Sequence, residues 1–275
     1  MLKQRIITAL ILLPIALGGF FLLDGAAFAL FIAAVVTLGA WEWARLAGIE
    51  GRAGRLGYAA LVAGLILLLY LARSGAPWLA GGVLLAALLW WLLAIVLVVG
   101  YPASSRYWMA MPVRLSIGLL ILLPAWQGLV LFKEWPLANW LIVAVMVLVW
   151  AADIGAYFSG KAFGRRKLAP RVSPGKSWEG LLGGLLFSLL IVVGVGLYRG
   201  WAGSDFLWGL FGAAAVVLIS VVGDLTESMF KRQSGVKDSS NLLPGHGGVL
   251  DRIDSLTAAI PVFAVLLWSA GWGSL

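Results

Sequence analysis

Seven carboxylates pose the chemical question in this chain. Asp153, Glu179, Asp224, Glu227, Asp238, Asp251 and Asp254 fall at the ends of the last four apolar stretches or in the loops between them, in a sequence with only 12 acidic residues. Residues 224, 227, 228 and 231 are spaced i, i+3, i+4, i+7, so Asp224, Glu227, Ser228 and Lys231 share one helix face. Asp251 and Asp254, three apart, open the next apolar stretch. A carboxylate inside a lipid-spanning helix costs at least ~2.5–3.5 kcal/mol on insertion scales, so it faces a cavity, a partner or an ion. For one isolated acid, a structural salt bridge to a nearby Lys or Arg is the simpler reading. Four acids around a Gly-rich turn favour a divalent cation. The chain has no cysteine and one histidine, His246, which removes thiolate chemistry and His- or Cys-rich zinc sites. Oxygen ligands point to Mg²⁺, Mn²⁺ or Ca²⁺. Mg²⁺ commonly uses one or two carboxylates and completes its shell with substrate phosphates and water, which implies a phosphorylated substrate.

The loop between these acids suits that substrate. Pro244-Gly245-His246-Gly247-Gly248 is a flexible turn just before a helix start, and backbone N–H groups there form an anion site. Gly-rich turns also link helices without any such role. Lys231, Arg232, Lys237 and Arg252 around this one favour phosphates bridged to a metal. His246 is open between hydrogen-bond donor, base and simple loop residue. A second half-site lies at Ser173-Pro174-Gly175-Lys176-Ser177-Trp178-Glu179-Gly180, where hydroxyls and a lysine meet the start of a helix. Lys161, Arg165, Arg166, Lys167 and Arg171 before it read more simply as cytoplasmic charge and lipid-head contacts.

The elements that hold these groups are membrane spans. The chain is 62% hydrophobic and 12% charged over 275 residues, with mean hydropathy +1.01; a soluble domain carries about a quarter charged residues. Long apolar runs predict nine helices near 6–23, 26–44, 56–72, 77–99, 115–132, 137–158, 178–198, 205–230 and 253–273. Lys3-Gln4-Arg5 before the first resembles a signal peptide, but the many spans that follow make it an uncleaved helix. With the N-terminus cytoplasmic, all but three of the 20 basic residues fall inside, the exceptions being Arg73, Lys133 and Arg199. That asymmetry is the positive-inside signature. It places both polar loops in the cytoplasm and accounts for the +8 net charge through orientation and anionic lipid rather than nucleic acid. The expected fold is all-α: a polytopic integral membrane protein of about nine transmembrane helices with a cytoplasmic N-terminus. It reads as one membrane domain over 1–275, with 1–135 mainly scaffold and 137–275 carrying the catalytic helices and cytoplasmic loops.

Residues 228–254 then point to a family. Ser228-x-Phe230-Lys231-Arg232-x4-Lys237-Asp238-x-Ser240-x2-Leu243-Pro244-x-His246-Gly247-Gly248-Val249-x-Asp251-Arg252-Ile253-Asp254 resembles the C-terminal motif of phosphatidate cytidylyltransferases, or CDP-diacylglycerol synthases. Asp153-Ile-Gly-Ala156-Tyr157-Phe158-x-Gly160 and Ser173-Pro174-x-Lys176-x-Trp178-Glu179-Gly180 resemble that family's other recurrent segments. The likeness is specific over roughly 150–258; before that it is a compatible pattern of spans. Gly175 departs from it, since such proteins commonly carry a second lysine there, a role left absent or supplied by a neighbour such as Arg171.

The resemblance implies CTP + phosphatidate → CDP-diacylglycerol + pyrophosphate, dependent on Mg²⁺, at the cytoplasmic face of a bacterial inner membrane. The lipid phosphate would attack the α-phosphorus of CTP in line, so no protein nucleophile is needed and catalysis rests on positioning and charge neutralisation. Asp224, Asp251 and Asp254 are the expected metal ligands, with Asp153 and Glu227 supplementary; Mn²⁺ or an additional monovalent cation are alternatives. Lys176, Lys231, Arg232, Lys237 and Arg252 would hold CTP or lipid phosphates, with Ser173 and His246 nearby and Gly247 and Gly248 allowing close backbone approach. The expected partners are CTP, phosphatidic acid and membrane lipids, without nucleic acid. A homodimer is compatible with the family, although no span shows a clear small-xxx-small face. A cation-coupled transporter would carry its acids near the bilayer midplane within inverted repeats, and neither is visible. The segment expected of a CDP-alcohol phosphotransferase is also missing from the sequence. A non-catalytic scaffold requires the 224–254 constellation to be coincidence.

Overall fold

The computed structural model describes residues 2–273, with the side chains of residues 2 and 3, and so the charge of Lys3, outside the description. Nine α-helices run through the described residues: α1 Leu2–Phe21, α2 Gly25–Leu46, α3 Arg52–Ala72, α4 Trp78–Val99, α5 Met111–Glu134, α6 Ala138–Phe163, α7 Trp178–Arg199, α8 Gly203–Gln233 and α9 Leu250–Ser269. A 3-10 turn at Ala103–Tyr107 precedes α5, and two short strands, β1 Lys167–Ala169 and β2 Ser173–Ser177, stand between α6 and α7. The all-α membrane architecture matches the apolar periodicity of the sequence. Helices α1 to α8 are each long and apolar enough to cross a membrane.

The ninth is different in kind. It packs against α2, α4, α5, α6 and α8, and Ala258, Ala259 and Ala264 within it are fully buried. A helix surrounded by protein rather than lipid tolerates Asp251, Asp254, Ser255 and Thr257. It also begins at Leu250 rather than near 253, so Asp251 lies in its first turn. Helix α8, at 31 residues, is about 46 Å long against a hydrocarbon core of ~30 Å. Its polar last turns therefore project to one end of the bundle.

Contacts across the chain sort the loops into two ends. Arg5 Nε donates to Gly245 O at 3.0 Å, and Arg114 Nη1 and Ser234 Oγ both donate to Leu46 O, at 3.1 and 3.0 Å. Arg232 Nε donates to Val172 O at 3.2 Å, and Tyr101 Oη meets Gln233 Oε1 at 3.4 Å. The five basic segments expected inside thus meet at one end. At the other, Lys133 pairs with Asp24 at 2.9 Å and Arg73 with Glu134 at 3.3 Å.

Helices α6 and α7 approach backbone to backbone. A Cβ on Gly155 would lie 2.9 Å from Gly183 O, one on Gly180 3.0 Å from Ala156 O, and one on Gly184 would collide with Ala152 O. Gly180 and Gly184 form a small-xxx-small face that is spent inside the chain, against α6. This contact was not legible as a packing face in the sequence, where glycines are frequent throughout.

Candidate active site

The segment 159–177, expected as a loop from residue 159, is instead partly helix and partly hairpin. Helix α6 continues to Phe163, and β1 and β2 pair antiparallel, Lys167 opposite Ser177 and Ala169 opposite Ser173. Glu179 in the first turn of α7 holds the junction: its carboxylate accepts the backbone N–H of Arg165 at 3.0 Å and of Arg166 at 3.2 Å. Ser177 caps α7 by accepting from Gly180 N at 3.1 Å. Ser173 and Lys176 therefore sit on β2, a register that aims Lys176 toward α8, and Lys176 Nζ stands 2.6 Å from Asp224 Oδ2.

The expected face of α8 forms, and its members divide between two neighbours. Ser228 Oγ donates to Asp224 Oδ1 at 3.2 Å, and this half faces Lys176. Lys231 Nζ lies 3.0 Å from Glu227 Oε1 and 2.7 Å from Asp251 Oδ1, and this half faces α9. Phe230 orients the end of the helix, its ring centroid 4.8 Å from Trp43 and 4.4 Å from Trp108. Gly223 brings α9 close, since a Cβ there would lie 2.7 Å from Asp254 O. Asp254 feels Asp224, Lys176 and Lys231, and Asp153 feels Lys176 and Asp224. Five acids thus share two ammonium groups. Glu227 Oε2, in a buried side chain, meets no hydrogen-bond donor among the described residues.

The glycine-rich turn is closed by Leu243 N to Gly247 O and His246 N to Leu243 O, each 2.8 Å. Gly245 and Gly247 adopt φ +77° and +83°, a region that favours glycine. The anion site expected at this helix start is filled by the protein's own carboxylates. Asp251 Oδ2 accepts from Ser239 N at 2.9 Å, Ser239 Oγ at 2.9 Å and Gly248 N at 2.7 Å. Val249 N and Leu250 N donate to Glu42 at 3.0 and 2.6 Å. Both oxygens of Asp251 are therefore engaged, whereas Asp224 and Asp254 carry fewer protein donors. His246 Nδ1 is buried without a partner among the described residues, and Lys237 and Arg252 are exposed at the rim.

A cavity of about 210 Å³ opens between α6, α7 and α8, lined by Asp153, Tyr157, Lys176, Gly180, Gly184 and Val221 among others. The glycines that draw α6 and α7 together also form part of its wall. Its lining is largely apolar, with Asp153 and Lys176 supplying the charge. Apolar side chains outside it, Ile154, Phe158, Leu182 and Leu186, are exposed where lipid would lie. Among the described residues no three His, Cys, Asp or Glu side chains are already gathered as a metal cage; the acids are instead spread along α6, α8 and α9 and bridged by lysines.

The family model for the cytidylyltransferase family matches residues 3–270. The chain belongs to the cytidylyltransferase family. It is similar to the phosphatidate cytidylyltransferase of Pseudomonas aeruginosa, 74% identical with both chains covered in full. It is also similar to that of Haemophilus influenzae, 44% identical over 96% of this chain and 98% of the relative. The Brucella suis enzyme is 39% identical over 98% and 93%.

For a cytidylyltransferase-family chain, the residue that sequence reasoning passed over is Glu42. It lies in α2, far from the motif, and is fully buried. It accepts from Ser240 Oγ and from Ser239 Oγ, the latter at 3.2 Å, besides the two amides at the start of α9. The available signal was a lone acid, Glu42, within an apolar run. Thr8 and Arg5 of α1 also reach the turn, Thr8 Oγ1 donating to Pro244 O at 2.9 Å. No local pattern announces those contacts.

Proposed function

We propose that this enzyme transfers the cytidylyl group of CTP to phosphatidic acid, releasing pyrophosphate and forming CDP-diacylglycerol. The observation that carries the reading is the juxtaposition of Lys176 and Lys231 with Asp224, Glu227 and Asp251 at one polar end of an apolar bundle, beside the cavity between α6, α7 and α8. One substrate is a charged nucleotide and the other a lipid phosphate, and this place offers ammonium groups to phosphates and an apolar wall to a lipid. The full-length identity to a named phosphatidate cytidylyltransferase supports the same reading.

In this mechanism an oxygen of the lipid phosphate attacks the α-phosphorus, the bond to the β-phosphate oxygen breaks, and pyrophosphate leaves. Lys176 and Lys231 exchange their carboxylate partners for phosphate oxygens, and Arg232, Lys237 and Arg252 add charge at the rim. Effective molarity and fixed positive charge account for the acceleration, without a covalent enzyme intermediate. The donor set fits Mg²⁺: all oxygen, with more acids than amines and one buried carboxylate oxygen, Glu227 Oε2, unpartnered among the described residues. Asp224 and Asp254 would hold it with Asp153 beside them; Asp251 would join by giving up Lys231 or the Ser239–Gly248 donors, and Glu227 is supplementary. When bound, Mg²⁺ neutralises phosphate charge and aligns the triphosphate; Mn²⁺ or a further monovalent cation would serve the same donors. The concentration of basic residues in these loops supports a cytoplasmic position for this end, at the inner face of a bacterial inner membrane where CTP is available.

The test is purified protein in detergent with phosphatidate, labelled CTP and Mg²⁺, scored for CDP-diacylglycerol and pyrophosphate. Both products should appear in equal amounts. Absence of turnover by folded protein, across several divalent ions, would sink the proposal.

A further inference from the structure

The 234–249 segment contains no helix, and yet it decides where Asp251 stands relative to Lys231. Two buried carboxylates bracket it. Asp251 takes donors from Ser239 and Gly248, and Glu42 takes donors from Ser239, Ser240, Val249 and Leu250. Each carboxylate thus ties the beginning of the turn to its end, and the Ser239 hydroxyl touches both. The first amides of a helix need acceptors, and Val249, at the cap position of α9, supplies no side-chain acceptor. Glu42 fills that need from another helix. Space for it exists because residue 248 is glycine: a Cβ there would collide with Ser239 Oγ and lie 2.5 Å from Glu42 Oε1.

We propose that Glu42 is a positioning residue for cytidylyl transfer: by capping α9 from α2 it sets the turn that aims Asp251 at Lys231. The proposal rests on the cytidylyltransferase reading above. Glu42 touches neither Lys231 nor the cavity, and its effect passes through Ser239, Gly248 and Asp251. Without it the amides of Val249 and Leu250 are released, the turn loses half its anchors, and Asp251 loses the register that pairs it with Lys231.

The test compares wild type, Glu42→Gln, Ser240→Ala and the double variant, each purified in detergent, by kcat, KM for both substrates, and thermal midpoint. Gln keeps the shape but turns one acceptor oxygen into an amide that faces N–H and O–H donors. Disturbing a partner behind a functional residue commonly costs roughly 10–100-fold in activity, and that fall is expected in kcat, with KM for phosphatidate within about twofold. Ser240→Ala should show a smaller fall of the same kind, and the two effects should be less than additive. Wild-type kcat per folded molecule in Glu42→Gln, or variants that lose only yield and thermal midpoint, would overturn the proposal. If Glu42→Gln does not fold, Ser240→Ala decides: an unchanged kcat overturns the positioning role and a reduced kcat at unchanged midpoint upholds it. Wild-type protein without turnover would instead remove the cytidylyltransferase reading itself.

Discussion

Replacing Lys231 by Met removes an ammonium that lies 2.7 Å from Asp251 Oδ1 and 3.0 Å from Glu227 Oε1, with both carboxylate side chains only 4% exposed. Methionine keeps most of the stem volume, so the perturbation is chiefly electrostatic. Removing one partner of a buried ion pair costs about 3–5 kcal/mol, because the charge left behind is neither solvated nor paired. Asp251 keeps its donors from Ser239 and Gly248, whereas Glu227 keeps none among the described residues. The loss therefore falls mainly on Glu227. With ~2–4 °C per kcal/mol for chains of comparable size, the thermal midpoint should fall by roughly 6–20 °C. The assay is thermal unfolding in detergent, followed by intrinsic tryptophan fluorescence and by monodispersity after heating. A triple variant, Lys231→Met with Glu227→Gln and Asp251→Asn, removes the charges together and should recover most of the midpoint while remaining inactive, since replacing a whole buried ionic set is often neutral. A single variant as stable as wild type would refute the reasoning, for it would mean that no unpaired charge is left behind, the carboxylates being solvated or protonated instead.

Asp224→Asn breaks the partly exposed pair with Lys176; stability should change by less than about 1 kcal/mol, while turnover falls at least about 100-fold, as measured by labelled CTP consumption at equal folded protein. Lys176→Ala should raise the KM for CTP about tenfold with a smaller effect on that for phosphatidate; the opposite pattern in initial-rate kinetics would reassign it to the lipid phosphate. Gly184→Ala forces a methyl into Ala152 O across the α6–α7 contact, and should lower stability by about 1–3 kcal/mol, read as a fall in thermal midpoint. The chain has no cysteine, so single cysteines report topology directly: Lys167→Cys should react with a membrane-impermeant thiol reagent only in inverted vesicles, and Tyr198→Cys only in intact spheroplasts.

Membrane class, the number of long helices and the gathering of acids along the last helices were legible in the residues alone. Lipid solvent demands long apolar runs, and 3.6-residue periodicity puts Asp224, Glu227, Ser228 and Lys231 on one face whatever the tertiary fold. The division of basic residues among loops likewise depends only on their order along the chain. Tertiary structure decided which carboxylate meets which lysine. Lys176 and Asp224 are 48 positions apart, and their contact depends on the β-hairpin register that Glu179 pins. The sequence also suggested open backbone amides before α9 as a phosphate site. The fold fills them with Asp251 and with Glu42, a residue more than 200 positions from the two amides it caps. Buried amides and buried carboxylates must each find a partner, and which partner they find depends on which helices pack together. Residues 228–254 thus name the chemistry, and the packing of α2, α7 and α9 around α8 aims it.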